Sequence, residues 1–267
     1  MIICKNCGNQ FEGRYCNQCG ERIVNDRDFS VFSIARQALG SITSFDSKLL
    51  RTMKLLLFYP GKLSTEFVNG VRVPYMRPFQ ILIVVNILFY MFMSELDLFR
   101  SPSQGYFVEN FDGVRVMEKV RQISQTRGLE VKEIAIMYDN RSSDLAKGLI
   151  VCLIPFIALT GLLLHLKRKI EFGKHLIFAT HYLSFIIVVI FIIGEGLIVL
   201  PITPNRWLFI VPSIAFITLY YIVALKHFYQ DGWLGAVAKG LVGVVLINVF
   251  IQFYRVAINI ISLNTLL

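Results

Sequence analysis

Four cysteines near the amino terminus have the residue type and spacing of metal ligands. They form two CxxC pairs, each followed by glycine, at Cys4, Cys7, Cys16 and Cys19. A ribbon of about twenty residues is too short to bury a hydrophobic core, so a metal or disulfides must hold it. Four thiolates in this pattern are typical of a closed tetrahedral site for one structural Zn²⁺, because no coordination position is left for a substrate.

The surroundings of the cysteines indicate where this head lies and what it binds. The first thirty or so residues carry scattered charges where a signal peptide would need a continuous apolar stretch. We therefore expect a cytoplasmic head with reduced cysteines. The ribbon lacks a dense basic stripe with interleaved aromatic residues, which argues against nucleic-acid binding and favours a protein partner.

Polar side chains inside apolar segments form a second set of candidates, because a charge in a bilayer is costly and usually functional. They are His181, Glu195, Lys239, Asn248 and Arg255. His181 fits either a hydrogen bond between helices or a proton transfer. Lys239 and Arg255 lie near the ends of their segment, where both can snorkel, and Asn248 is expected to bond across helices.

Helix geometry bears on two pairs of polar residues in these segments, Glu195 with Arg255 and His175 with His181. Glu195 and Arg255 should lie at similar depth, so they form an ion pair unless Glu195 faces water. His175 lies six residues before His181, which places the two rings on different helix faces and makes them poor joint ligands of one metal.

Signatures of known enzymes are missing from the sequence. It contains no HExxH, no GxSxG elbow, no phosphate-binding Walker loop and no Rossmann glycine set. We therefore predict no catalytic residue and favour a non-enzymatic scaffold, regulator or lipid- or protein-binding module. The alternative is a transporter or membrane-embedded enzyme that uses His181 and Glu195.

The composition indicates what must position these residues. Of 267 residues, 55% are hydrophobic, and the mean hydropathy is +0.60, which is too apolar for an ordinary soluble protein. We predict an all-α integral membrane protein in the lipid bilayer. Its five transmembrane spans are expected at about 79–96, 148–166, 176–200, 207–225 and 234–258.

The remaining segments complete the predicted organisation. A zinc ribbon covers 1–22, amphipathic helices cover 28–78, and the transmembrane domain covers 79–267 with a polar insertion at 97–147. The amphipathic helices either lie in the headgroup region or pack on the bundle. The insertion is expected to hold two short helices interrupted near Gly128, or else to be a solvated loop with partial helix.

Charge in the short loops predicts the orientation. The loop after the second span carries Lys167, Arg168, Lys169 and Lys174, whereas the loop after the third carries only Arg206. The positive-inside rule places the former in the cytoplasm. The amino terminus is then cytoplasmic, and the insertion and the carboxyl terminus are extracytoplasmic.

Small residues and prolines make further predictions for the spans. On the last span, a stripe of Ala236, Gly240, Gly243 and Ile247 suits close packing within the chain or in a homo-oligomer. Pro155 and Pro212 should bend their spans.

Three stretches resemble an uncharacterised bacterial membrane family, domain of unknown function 3667. They are the ribbon CKNCGNQFEGRYCNQCGE, the segment FDSKLLRTMKLLLFYPGKLSTEFVNGVRVPYMRPFQIL and the histidine-containing helix start FGKHLIFATHYLSF. The middle stretch is the most specific. The resemblance implies an inner-membrane protein with a zinc ribbon and supplies no known reaction.

Overall fold

A computed structural model describes the chain at residues 2–4, 7–13, 15–18, 47–72, 74–92, 99–107, 113–199 and 207–266. The chain divides into two compact units, Met1–Leu50 and Arg51–Leu267. The first part of the predicted amphipathic segment, residues 28–46, lies outside the described residues.

A minimal hairpin organises the first unit. Strands β1 (Ile2–Ile3) and β2 (Gln10–Phe11) pair antiparallel, with Ile2 opposite Phe11. The turn between them closes when the Cys4 amide donates to the carbonyl oxygen of Asn9 at 2.8 Å. Gly8 in this turn has φ 73°, a left-handed conformation that glycine adopts without the steric cost of a Cβ.

Helices build the described part of the second unit, and α1 (residues 47–58) leads into it. The others are α2 (Lys62–Val68), α3 (Pro78–Phe92), α4 (Ser103–Tyr106), α5 (Gly113–Arg127), α6 (Val131–Gly148), α7 (Leu153–Leu164), α8 (Phe172–Val199), α9 (Trp207–Tyr229) and α10 (Trp233–Asn264). Short 3-10 turns cover Ile150–Cys152 and Leu166–Arg168. The all-α prediction is confirmed.

In the described part of the chain, three helices are long and apolar enough to cross a membrane: Phe172–Gly194 of α8, Val211–Tyr229 of α9 and Trp233–Asn264 of α10. A fourth span exists if α6 and Ile150–Leu164, which meet at an angle of 51°, cross as one bent element. The predicted first span, 79–96, overlaps α3, whose 15 described residues end at Phe92, and residues 93–96 lie outside the described part of the chain. The described helices indicate a membrane protein with three or four candidate spans, and the arrangement of five spans stays a prediction.

The predicted span 148–166 contains a break that the apolar pattern does not reveal. The chain leaves α6 at Gly148, makes a 3-10 turn and starts α7 at Leu153. Pro155 is the third residue of α7, where its missing N–H costs no helical hydrogen bond. A continuous helix would instead place Pro155 in the interior, so the chain breaks before it. Pro212 lies inside α9.

The hairpin of α1 and α2 packs on the bundle, which is one of the two arrangements predicted for the amphipathic segment. Leu56 and Leu63 are buried, and the Tyr220 hydroxyl of α9 donates to the Leu56 carbonyl oxygen. Gly61 joins the two helices with φ 78°, and a Cβ there would lie 2.5 Å from the carbonyl oxygen of Ala224. The turn therefore needs glycine both for its backbone conformation and for its approach to α9.

The polar insertion folds onto the carboxyl-terminal part of α10. Helices α5 and α6 lie on either side of Gly128, at the predicted interruption. The core between them contains Val120, Ile123, Ile134 and Tyr138, together with Leu263 of α10. The insertion is thus a packed helical cap on this end of the bundle, not a solvated loop.

The small-residue stripe of α10 packs inside the chain. Ala236, Gly240, Gly243 and Ile247 are all buried. A Cβ on Gly240 would lie 2.4 Å from a side-chain carbon of Ile222, and one on Gly243 would lie 2.7 Å from Tyr221. The stripe lets α9 approach α10 closely. A homo-oligomer through the last span stays a prediction and would have to use another face.

Candidate functional site

Three of the four predicted metal ligands lie together in the described part of the head. The sulfur atoms of Cys4, Cys7 and Cys16 all lie within 4.8 Å of one another, and those of Cys7 and Cys16 are 3.6 Å apart. Two thiolates on one tetrahedral zinc ion stand about 3.8 Å apart, given Zn–S bonds of about 2.3 Å. The thiol cluster therefore fits a zinc ion. The fourth predicted ligand, Cys19, lies outside the described residues.

A second polar cluster joins the end of α7 to the loop between α9 and α10. Asp231 is buried, and both of its carboxylate oxygens are engaged. Oδ2 lies 2.8 Å from Nε2 of His165, and Oδ1 accepts hydrogen bonds from Arg168 at 2.6 Å and from Lys239 at 2.9 Å. We call these four residues the Asp231 cluster.

Both ring nitrogens of His165 are engaged within the chain. Its Nδ1 lies 3.0 Å from the carbonyl oxygen of Gly161, and its Nε2 faces the Asp231 carboxylate. The ring is therefore fixed between the last turn of α7 and the α9–α10 loop, where the carboxylate also contacts Arg168 and Lys239.

The electrostatics of Asp231 follow from this arrangement. Burial alone would raise its pKa, but the hydrogen bonds from His165 and Lys239 and their positive charges outweigh burial and hold the pKa below its ordinary value. Asp231 is thus an ionised acceptor that holds three elements together. The Arg168 guanidinium also donates to the carbonyl oxygen of Tyr229, which ties the 3-10 turn to the end of α9.

Tyr229 connects this cluster to α8. Its ring stacks on His165 with centroids 3.9 Å apart, and its hydroxyl lies 2.7 Å from Nδ1 of His175. Gly161 makes room for the contact, because a Cβ there would lie 2.6 Å from the Tyr229 hydroxyl. His175 thus bonds to α9, away from His181, as the sequence predicts for rings on different faces.

His181 occupies a separate buried position. Its Nδ1 lies 2.9 Å from the Ser64 hydroxyl of α2, so the ring joins α8 to the docked hairpin. This contact matches the hydrogen bond between helices that the sequence allows. Its Nε2 is buried and has no hydrogen-bond partner among the described residues.

The other predicted intramembrane residues do not converge on one site. Lys239 belongs to the Asp231 cluster, whereas Arg255 lies at the far end of α10 and donates to the Ser101 hydroxyl at 3.4 Å. Asn248 is exposed and bonds to Val244 in its own helix, so a hydrogen bond across helices stays a prediction. The Glu195 side chain, and with it the predicted ion pair to Arg255, lies outside the described residues.

Sequence reasoning missed Asp231 and His165, although one signal was available. Asp231 is the only acidic residue after Glu195, and it lies between Lys226 and Lys239 at the end that also carries Lys167 and Arg168. When a single carboxylate lies among several cations at one end of a bundle, it is expected to form ion pairs with them. Its partner His165 has no comparable signal, because nothing in the sequence shows that α7 ends beside the α9–α10 loop.

Comparison with known proteins finds a similarity over one segment of the chain. No curated protein and no solved structure is significantly similar to this chain. Residues 46–90 match the family described as Protein of unknown function (DUF3667). The matched segment covers α1, the Gly61 turn, α2 and most of α3, which includes the Ser64 hydroxyl that contacts His181. This match confirms the resemblance found in the sequence for that segment: residues 46–90 are similar to the DUF3667 family.

Proposed function

We propose that this protein is a non-enzymatic scaffold or regulator of the bacterial inner membrane that recruits a protein partner at its cytoplasmic head. The observation that carries the proposal is the saturation of the Asp231 cluster. Both carboxylate oxygens of Asp231 and both ring nitrogens of His165 are engaged within the chain. A reactive acid or base needs a position open to substrate, whereas this cluster fastens the ends of three helices.

The thiol cluster supports a structural zinc ion as the core of the head. The proposed ligands are Cys4, Cys7, Cys16 and Cys19, and four thiolates leave no position for a reacting group. The ion supplies folding free energy to a hairpin whose described core comprises only Cys4, Phe11 and Cys16. A metal-folded head of this size suits a contact surface for another protein.

Loop charge supports the proposed orientation. Arg168, Lys226 and Lys239 lie at the end of the bundle where α7 and α9 stop and α10 begins. The positive-inside rule assigns that end to the cytoplasm. The insertion and the end of α10 are then extracytoplasmic.

The test compares head variants and bundle variants in cells that need the protein. Cys4→Ser/Cys7→Ser should abolish in-cell crosslinking to specific membrane-associated proteins and fail to complement, at unchanged membrane abundance. His181→Gln should complement fully, because its side chain only joins helices. The proposal is overturned if the double cysteine variant keeps the crosslinked set and complements.

A transporter or membrane-embedded enzyme is the second candidate, and one observation favours it. His181 presents a buried Nε2 without a hydrogen-bond partner among the described residues, while Ser64 orients the ring through Nδ1. A neutral imidazole held in this way is able to accept a proton. Failure of a well-folded, normally abundant His181→Ala/Glu195→Gln variant to complement would support this candidate, and full complementation would exclude it.

A further inference from the structure

A polar cavity lies between the insertion and the end of α10, far from the Asp231 cluster. Its volume is about 740 Å³, within the range of small-molecule sites. Three cationic side chains line it, Arg115 and Lys119 of α5 and Arg255 of α10. No carboxylate is among the described residues that line it, so the cavity suits an anion.

Two of the three cations, Lys119 and Arg255, donate to neutral neighbours. Lys119 donates to the side-chain oxygen of Asn264 at 3.0 Å, and Arg255 donates to the Ser101 hydroxyl at 3.4 Å. The Nε–H of Arg255 is buried and has no hydrogen-bond partner in the described part of the chain. A buried guanidinium donor without an acceptor is costly, and a phosphate oxygen is the kind of acceptor that it binds best.

The depth of the cavity identifies the source of such a phosphate. Arg255 is 22 residues beyond Trp233, which corresponds to about 33 Å along the helix. The exposed Trp233 ring, with Lys226 4.5 Å from its centre, is typical of one membrane interface. The hydrocarbon core is about 30 Å thick, so Arg255 lies at the headgroup level of the opposite leaflet.

The cavity adjoins an exposed apolar face of α10. Val256 and Ile260 line the cavity and are 52% and 45% exposed. They continue the exposed row of Val249 and Phe253 on the same helix face. An acyl chain can follow this row while its headgroup enters the cavity.

We propose that this cavity binds the phosphate group of an anionic phospholipid, with Arg115, Lys119 and Arg255 as the recognising cations. The inference does not depend on the proposed function, because it concerns the opposite end of the bundle. A lipid held here would join the insertion to α10 through a shared anion.

The test measures lipid binding to the full-length protein in detergent by native mass spectrometry. The probes are dioleoylphosphatidylglycerol, dioleoylphosphatidylcholine and inorganic phosphate. Wild-type protein should retain phosphatidylglycerol in preference to phosphatidylcholine. Each cation removed should weaken phosphatidylglycerol binding about fivefold, so Lys119→Gln/Arg255→Gln should lose on the order of 20-fold.

Matched variants separate binding from folding. Arg121→Gln removes an exposed cation of α5 that does not line the cavity, and it should bind lipid like wild type. Lys119→Arg/Arg255→Lys keeps both charges and should restore most of the affinity. Equal retention of the two lipids by wild type, or unchanged phosphatidylglycerol binding by the glutamine variant, overturns the proposal. Tighter binding of inorganic phosphate than of phosphatidylglycerol overturns the lipid source.

Discussion

Replacing Asp231 by asparagine should destabilise the bundle by about 3 kcal/mol. The substitution keeps the shape of the side chain and removes the anion that three donors share. The Asp231 and His165 side chains are 3% and 0% exposed. A hydrogen bond to a buried charged group contributes about 1.5–3 kcal/mol.

The other two donors add less. The Arg168 and Lys239 side chains are 40% and 29% exposed, so water rehydrates both when the carboxylate is lost. Each such pair contributes up to about 1 kcal/mol. For a chain of this length the combined loss corresponds to about 6–12 °C in Tm.

Thermal unfolding in detergent, followed by tryptophan fluorescence, measures the effect. Glu171→Gln is the matched control, because it makes the same chemical change in an exposed carboxylate. The Glu171 side chain is 80% exposed, and its ion pair to Lys174 is long at 3.9 Å. It should shift Tm by less than about 1 °C. A double-mutant cycle with His165→Gln should give a coupling free energy of about 2 kcal/mol. This prediction is refuted if Asp231→Asn has the same Tm as Glu171→Gln, or if the coupling free energy between Asp231 and His165 is near zero. The Asp231 cluster would then not hold the helices together.

Four further results follow from the same contacts. Lowering the pH should remove the stability that ionised Asp231 contributes, because its pKa in the folded state lies below its pKa in the unfolded state. The loss occurs as the pH falls through the folded-state pKa. In a plot of Tm against pH, Asp231→Asn should flatten that part of the curve. Gly61→Ala should lower the free energy of unfolding by at least about 2 kcal/mol, measured by thermal unfolding, because residue 61 has a positive φ and its Cβ would lie 2.5 Å from the Ala224 carbonyl oxygen. Gly235→Ala in α10 is the control. Its Cβ would meet nothing within 4 Å, so this variant should be neutral or stabilising. Purified protein should release about one zinc per chain on thiol modification, measured with a metallochromic dye, and a metal-free, disulfide-linked head would contradict the zinc assignment. Reporter fusions after Arg168 and near Ser124 should report the cytoplasm and the opposite side respectively, and the reverse pattern would invert the proposed topology.

Local signals in the sequence predict the hairpin and the insertion well. Pro60 and Gly61 end α1, and Gly70, with φ 94°, follows the end of α2, because both glycines adopt a backbone conformation that other residues resist. Gly128 separates α5 from α6 for the same reason. These features depend on a few neighbouring residues, so a single sequence contains them.

Contacts between distant segments are harder to predict. The His165–Asp231 contact joins residues 66 apart, and apolar patterning does not reveal which helix ends meet. The sequence predicts a bend at Pro155 but not the end of the helix before it, because Gly148 to Leu166 is long and apolar enough to span as one helix. Side-chain polarity identified Lys239 and Arg255 as candidates. The fold is needed to show that Lys239 pairs with Asp231 and that Arg255 lines a cavity.

That difference between Lys239 and Arg255 separates two roles at the two ends of α10. Lys239 contacts an ionised carboxylate, so its charge is compensated within the chain and a ligand there would have to displace Asp231. Arg255 contacts a neutral hydroxyl, and its buried Nε–H lacks a hydrogen-bond partner among the described residues. An anion gains the full electrostatic attraction at Arg255 but must compete with Asp231 at Lys239. An anionic ligand is therefore expected at the insertion end of α10, whereas the Asp231 cluster at the other end joins helix ends to one another.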